Sequence, residues 1–484
     1  MKTVPGKFRA AVAAAALTLL TACAGMSGIG SQAHLADAAA LGLPEGQTLA
    51  PAAQWWSALG DPQLDALVAQ ALEGNPSLRA AAARVVKAQS AIGMARADGL
   101  PQIEGELDAQ RMRFQENYIY PPPYGGSQFN MGTLQLNGRW ELDFFGKHSG
   151  AIAAAVGQAR AAEAEADAAR VLLAANVVRA YVQWARIEDQ RAVAARMLAQ
   201  RQHMLQLVHE RRQAGLDTQM EVRQSETGRA DSRTQITALE QQADAARNAL
   251  AALLGQPRLA DGIAAPRLAG FKTLALPDEL MADWLGRRAD IVAARWRVEA
   301  ARGGVQAAQS LFYPNINLVG AIGLQSLGFG NWIKSGSLEW NAGPAISLPI
   351  FEGGRLRANL RGQTAELDAA IEDYNAAVIQ AMRDVADQVQ AVQSLDIQRT
   401  QQAQALAAAE GAYAIAQERY RAGLSAYLNV LIAETTVLAQ RRQQVDLAAQ
   451  SLNAQIGLAQ AMGGGWQPTA EQAALPQATT AAAH

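Results

Sequence analysis

The chain has 484 residues, enough for two or three ordinary domains, and half of it is apolar while its mean hydropathy sits near zero. A net charge of -2 leaves no electrostatic footprint for nucleic acid, and a single cysteine excludes an internal disulfide or a cysteine-based metal site. Alanine dominates, glutamine and arginine are frequent, and aromatics make up only 6%, a mix suited to long helices.

The first 22 residues read as a targeting segment. Lys2, Lys7 and Arg9 form a positive region, and Ala10 to Leu20 is an apolar stretch too short to span a bilayer as a helix. It closes on Leu20-Thr21-Ala22-Cys23, which resembles the bacterial lipobox. The expectation is a signal peptide over 1–22 and a mature chain that starts at Cys23 and carries diacylglycerol and an N-acyl chain there. Ala24 and Gly25 follow, with no Asp to hold the product at the inner membrane, so the outer membrane is expected. Residues 23–60 are then a lipid-anchored N-terminal segment. No later stretch has 18 consecutive apolar residues, so any crossing must be made by β-strands.

From residue 61 the chain repeats itself. Asn75 to Ile103 aligns without a gap on Arg288 to Ile316 at an offset of 213; Arg84 meets Arg297 and Pro101 meets Pro314. Glu210 to Thr227 aligns on Glu418 to Thr435 at an offset of 208, sharing Glu-Arg, Ala-Gly-Leu, Val and Glu-Thr. Leu142 to Phe145 (LDFF) matches Leu348 to Phe351 (LPIF) between them. The first copy is placed at 61–260 and the second at 261–465, with a flexible tail over 466–484. Each copy should hold a helix, a β-hairpin (101–145 and 314–351) and a long helical hairpin (150–254 and 355–462).

In the hairpins, Leu134, Leu136, Trp140, Leu142 and Phe144 alternate with Thr133, Gln135, Asn137, Arg139, Glu141 and Asp143. Ile316, Leu318, Ile322 and Leu324 alternate with Asn315, Asn317, Ala321 and Gly323, and Leu338, Trp340, Ile346, Leu348 and Ile350 continue the pattern. Period two gives each strand one apolar and one polar face. That suits a soluble sandwich, with the apolar face as core, as well as a membrane barrel, with that face in lipid and Trp140 and Trp340 in an interfacial girdle. The tips, Phe114 to Ser127 and Gln325 to Gly336, are rich in turn residues.

The helical patterns run from about Ala151 to Gln213 and back to Leu254, and from about Arg355 to Arg421 and back to Met462, with no proline inside. About 60 helical residues make a rod of roughly 90 Å. Breaks at Gly215 and Gly423 mark the reversals. Four strands with a lipid face would leave two unpaired edges, so the chain is expected to close a ring with copies of itself, three copies giving twelve strands.

The lipobox, the duplication, LDFFG and LPIFEGG at the strand ends and the paired AGL turns together resemble the TolC/OprM-type outer-membrane factor family, especially its NodT-like lipoproteins. The resemblance covers about Trp55 to Met462. It implies an α+β membrane protein: a homotrimer with a 12-stranded β-barrel, four strands per chain, continued by a long periplasmic α-helical barrel with an equatorial domain. It implies a passive exit duct for drugs or other small toxic compounds, worked by a periplasmic adaptor and an inner-membrane RND-type pump; a type I protein-secretion duct is the alternative.

The resemblance also places the two turns at a gated, adaptor-docking tip. Arg212, Gly215, Leu216, Arg421, Gly423 and Leu424 are the docking candidates. The family's acidic ring positions fall on Asn429 and Ile432, so the acidic pattern is absent there. Tyr427 and Leu428 could form an apolar plug, and Glu221, Glu226 or Glu434 could supply charge instead; each could equally be an ordinary helical residue. No phosphate loop, nucleophile–base pair or metal-ligand spacing is present: Gly353-Gly354 lacks a following Lys, and His203 and His209 do not share a helix face. No enzyme activity, no metal and no cofactor other than the lipid on Cys23 is expected.

Overall fold

The computed structural model describes residues 25–36, 52–117, 119–259, 262–274 and 282–469. Cys23 and the segment over 1–22 lie outside the described residues, as does the tail beyond Thr469. The helices are α1 (Pro62–Gly74), α2 (Pro76–Asp98), α3 (Lys147–Gln213), α4 (Gln219–Leu253), α5 (Ala289–Ser310), α6 (Arg355–Arg421) and α7 (Tyr427–Ala461). The strands are β1 (Gln102–Arg113), β2 (Gln128–Leu142), β3 (Asn315–Leu327) and β4 (Leu338–Ser347). The duplication shows in the lengths: α3 and α6 have 67 residues each, and α4 and α7 have 35 each.

The chain divides into two compact units. The first holds Arg84–Ala162 and Ala294–Tyr374 with the described residues up to Leu35. Its centre is one antiparallel sheet in the order β1-β2-β3-β4, with uninterrupted register. Leu107, Leu134, Leu324 and Leu338 share one cross-strand row, and Gly105, Leu136, Ile322 and Trp340 the next. Leu107 is 70% and Trp340 71% exposed, so no second layer covers this face among the described residues. A sandwich would bury it; an uncovered apolar sheet face belongs in hydrocarbon. The other face carries Glu104, Glu106, Asp108, Gln135, Asn137, Asn317 and Glu339.

The strands end earlier than the apolar alternation, at Leu142 and Ser347 rather than at Phe144 and Ile350. Pro349 has no N–H to donate, and Gly146 turns at φ 82° into α3, whose Ser149 N–H bonds the Asp143 carboxylate at 2.8 Å. Residues 25–36 lie along the start of α6. Ser31 Oγ donates to Asp368 at 2.6 Å, the Gln32 and Ala33 N–H groups donate to the same carboxylate, and Arg357 donates to the Gly25 carbonyl.

The second unit holds Ala36–Ala83, Glu163–Ala293 and the described part of Asn375–His484. Asp61 caps α1 by accepting from the Gln63 and Leu64 N–H groups, with Pro62 at the first helical position. The face of α1 formed by Leu64, Leu67, Val68 and Ala71 packs with Trp55, Trp56 and Leu59 against Val177, Val178, Tyr181 and Trp184 of α3 and Leu250 of α4. Tyr181 anchors this core by donating its hydroxyl to Asp61 at 2.9 Å.

Candidate functional site

Two reversals join the long helices of the second unit, and both use one backbone device. Gly215 takes φ 74°; its N–H donates to the Arg212 carbonyl at 3.0 Å, and the Leu216 N–H donates to the Arg211 carbonyl at 2.9 Å. Gly423 takes φ 76°, with Gly423 N–H on Tyr420 at 3.0 Å and Leu424 N–H on Arg419 at 2.8 Å. These paired bonds satisfy the last carbonyls of α3 and α6. A Cβ on either glycine would meet nothing within 4 Å, so conformation alone demands glycine. Gly215→Ala or Gly423→Ala is therefore expected to cost about 1–2 kcal/mol in unfolding experiments. An unchanged denaturation midpoint would show that the reversals use another geometry.

The residue after such a glycine often packs back on the helix it ends. Leu216 and Leu424 do not: they are 64% and 69% exposed. Arg212 and Arg421 are exposed beside them, and Arg421 pairs with Glu418 at 2.9 Å on its own helix. The four side chains thus project a small apolar and cationic surface from the two turns.

Behind the turns lies a polar clasp. Asp217, in the first turn, accepts from Arg211 Nε at 3.1 Å and from the Tyr420 hydroxyl. The Arg211 guanidinium also sits over the Tyr420 ring, 4.5 Å from its centre, and reaches the Arg421 carbonyl at 3.4 Å. The clasp therefore ties the reversal of one repeat to the helix end of the other. Tyr420 is 1% exposed, and burial, reinforced by Asp217, pushes its hydroxyl well above the ordinary tyrosine range.

Of the two residues that could form an apolar plug, Tyr427 is drawn into the chain's own core, its ordinary helical alternative. It is 5% exposed and its ring lies 5.5 Å from Tyr420, among Met204, Val208, Val222, Tyr413 and Val430. Leu428, Asn429 and Ile432 are exposed along one face of α7, free to meet a lumen or another chain. The nearby carboxylates are occupied. Glu221 closes a capping box with Thr218, accepting its N–H at 2.9 Å, and the Thr218 hydroxyl bond holds the carboxyl below its ordinary range. Glu226 pairs with Arg223 at 2.9 Å. Glu434 is buried and bonds Arg201, 3.0 Å away, which also donates to the Gly228 carbonyl and to Ser232. Tyr413, buried beside Glu434, is pushed up to about 12, first by burial and then by that carboxylate.

Sequence reading missed Arg211, Asp217 and Tyr420. The repeat alignment sets Arg211 against Arg419, Asp217 against Ser425 and Tyr420 against Arg212. Asp217 and Tyr420 stand where the copies differ, and a search for shared letters passes over such positions; Arg211 belongs to the shared Glu-Arg pair, and its role shows only once those two partners are placed beside it.

The family model for outer membrane efflux protein matches residues 67–256 and 280–464. The chain is similar to a fusaric acid resistance protein of Burkholderia cepacia, 42% identical over 325 residues, and it spans 60% of that relative's length and 65% of its own. It is 32% identical over 420 residues to the pyoverdine export outer membrane protein OpmQ of Pseudomonas aeruginosa, covering 86% of this chain and 88% of that one. Among solved structures it resembles the outer membrane protein VceC of Vibrio cholerae (35% identity, TM-score 0.80, 86% of this chain and all of that one). It also resembles the outer-membrane channel OprN (28% identity, TM-score 0.80, 91% and 98%).

Proposed function

The chain belongs to the outer membrane efflux protein family, and from that premise we propose that it is the lipid-anchored exit duct of a tripartite pump. It is an efflux channel of the outer membrane, a transport protein by family. The observation that carries the reading is the bare apolar sheet face between two strands, β1 and β4, with no neighbour on their outer edges among the described residues. Hydrocarbon cannot satisfy those edge groups, so β4 of one copy pairs with β1 of the next, and three copies close a 12-stranded barrel. Planar-bilayer recording of the purified protein tests this. Stable conductance is expected, and a monomer without conductance would overturn it.

Lipid on Cys23 fits the path of the segment after it. The support is that Arg357, in the first turn of α6, holds Gly25, two residues after Cys23 in sequence. Cys23→Ser is expected to lose the acyl mass by intact-protein mass spectrometry while the polypeptide is still exported. An identical mass increment in the variant would refute the anchor.

The turns dock a periplasmic adaptor, and an inner-membrane RND-type pump supplies the energy. The support is the pair of exposed leucines beside Arg212 and Arg421. Leu216→Asp with Leu424→Asp is expected to abolish resistance to the exported compounds while leaving protein level and assembly unchanged. Undiminished resistance would move docking elsewhere. The exported compounds are small and toxic, as the relatives' names for fusaric acid and multidrug resistance suggest.

A further inference from the structure

The lipid-facing side of the sheet does not stay apolar to its loop end. On β1 the register runs unbroken, so Ile103, Gly105, Leu107, Ala109, Arg111 and Arg113 share one face. The first four belong to the hydrocarbon band and the last two are exposed cations. On β2 the matching band runs from Leu142 to Gly132, ten residue steps or roughly 34 Å of strand, which at barrel tilt is about the 25 Å height of an outer-membrane apolar belt. Arg111 and Arg113 thus stand where hydrocarbon ends and headgroups begin, at the end away from the helices.

Two further observations fix the character of this rim. Neither arginine has a carboxylate partner among the described residues: Arg113 donates Nε to the Gly126 carbonyl at 3.1 Å, and Asn130 and Gln128 stand opposite in the ladder. The acids of β1, Glu104, Glu106 and Asp108, alternate onto the other face. One row inward, the Trp332 indole lies over Gly132 on this same side, so close that a Cβ there would sit 2.6 Å from the ring; its Nε1 donates to the Leu324 carbonyl at 3.4 Å. An indole beside uncompensated cations is the side-chain pattern of a membrane interface. Guanidinium groups also match phosphate oxygens in a planar, two-pronged geometry.

We infer that Arg111 and Arg113 form a docking surface for the phosphorylated headgroup of the outer-leaflet glycolipid, with Trp332 seated below it at the acyl boundary. The inference rests on the membrane-channel reading. The outer leaflet of a bacterial outer membrane presents phosphates on a glycolipid at this depth, and the cations face lipid rather than lumen, which selects a lipid-borne anion over a solute in transit.

The test uses purified full-length acylated protein titrated with bisphosphorylated lipid A, with its fully dephosphorylated form and with inorganic phosphate, read by native mass spectrometry. Wild type is expected to retain the bisphosphorylated lipid, and Arg111→Gln with Arg113→Gln to bind it about tenfold more weakly. Arg111→Lys with Arg113→Lys should keep most of the affinity. Equal binding by the Gln variant, no preference for the phosphorylated lipid, or comparable capture of inorganic phosphate would overturn the inference. Conductance in phosphatidylcholine bilayers separates the two claims. Wild type and Gln variant should conduct equally, and loss of conductance in wild type would count against the channel itself.

Discussion

A channel carrying Tyr420→Phe and Asp217→Ala is expected to spend far more time open than the wild type. The clasp crosses between the two helical hairpins of a chain, so opening the tip by separating them must break it. A hydrogen bond to a charged group contributes about 1.5–3 kcal/mol, and three chains make three clasps. Even one such loss shifts a closed-to-open balance about tenfold, and losses coupled around a ring shift it further. Bilayer recordings should show at least about a tenfold rise in open probability, and cells should become sensitive to a bulky antibiotic that the outer membrane normally excludes. Unaltered open probability in the double variant would remove the clasp from gating.

The same phenol predicts a pH response. Burial and Asp217 raise its folded-state value above that of an exposed tyrosine, so the tip favours the protonated form. That contribution is fully present below the ordinary tyrosine range, about pH 10, and is lost as pH climbs through the raised value. Wild-type conductance should hold steady from neutral pH to about 10 and rise beyond it, whereas Tyr420→Phe should lack that rise. An identical alkaline rise in both would assign it to another group.

Where the two repeats agree, the fold was legible in the sequence; where function uses their difference, it was not. Shared letters placed the hairpins and the long helices, because both copies solve the same packing problem, down to equal helices of 67 and 35 residues. The glycines of the AGL turns announced their left-handed backbone. The role of Tyr427 did not show, since an aromatic next to a turn reads as a plug or as core until its neighbours are known, and here Tyr413 and Tyr420 enclose it. Glu221 stood open between a gate charge and an ordinary helical carboxylate, although Thr218 three residues earlier spells a capping box. β1 was also faint, because Gly105 and Ala109 occupy lipid-facing positions where larger residues would have marked the alternation.

Leu136 and Gln135 put the barrel to its hardest test, since they are neighbours in sequence and differ only in the face they occupy. Leu136 is exposed near the centre of the apolar band, cross-strand from Ile322, and Gln135 faces the polar side opposite Glu106. An arginine at the bilayer midplane costs about 2–4 kcal/mol in a β-barrel, so Leu136→Arg in three copies costs about 6–12 kcal/mol. That rivals the whole stability of an ordinary domain. Gln135→Arg places the same charge in a wet lumen beside a carboxylate and should cost little. Leu136→Arg is expected to disappear from the outer-membrane fraction while Gln135→Arg inserts and conducts. Equal tolerance of both would mean that the apolar face never meets lipid, and the sheet would then have to find its cover in protein.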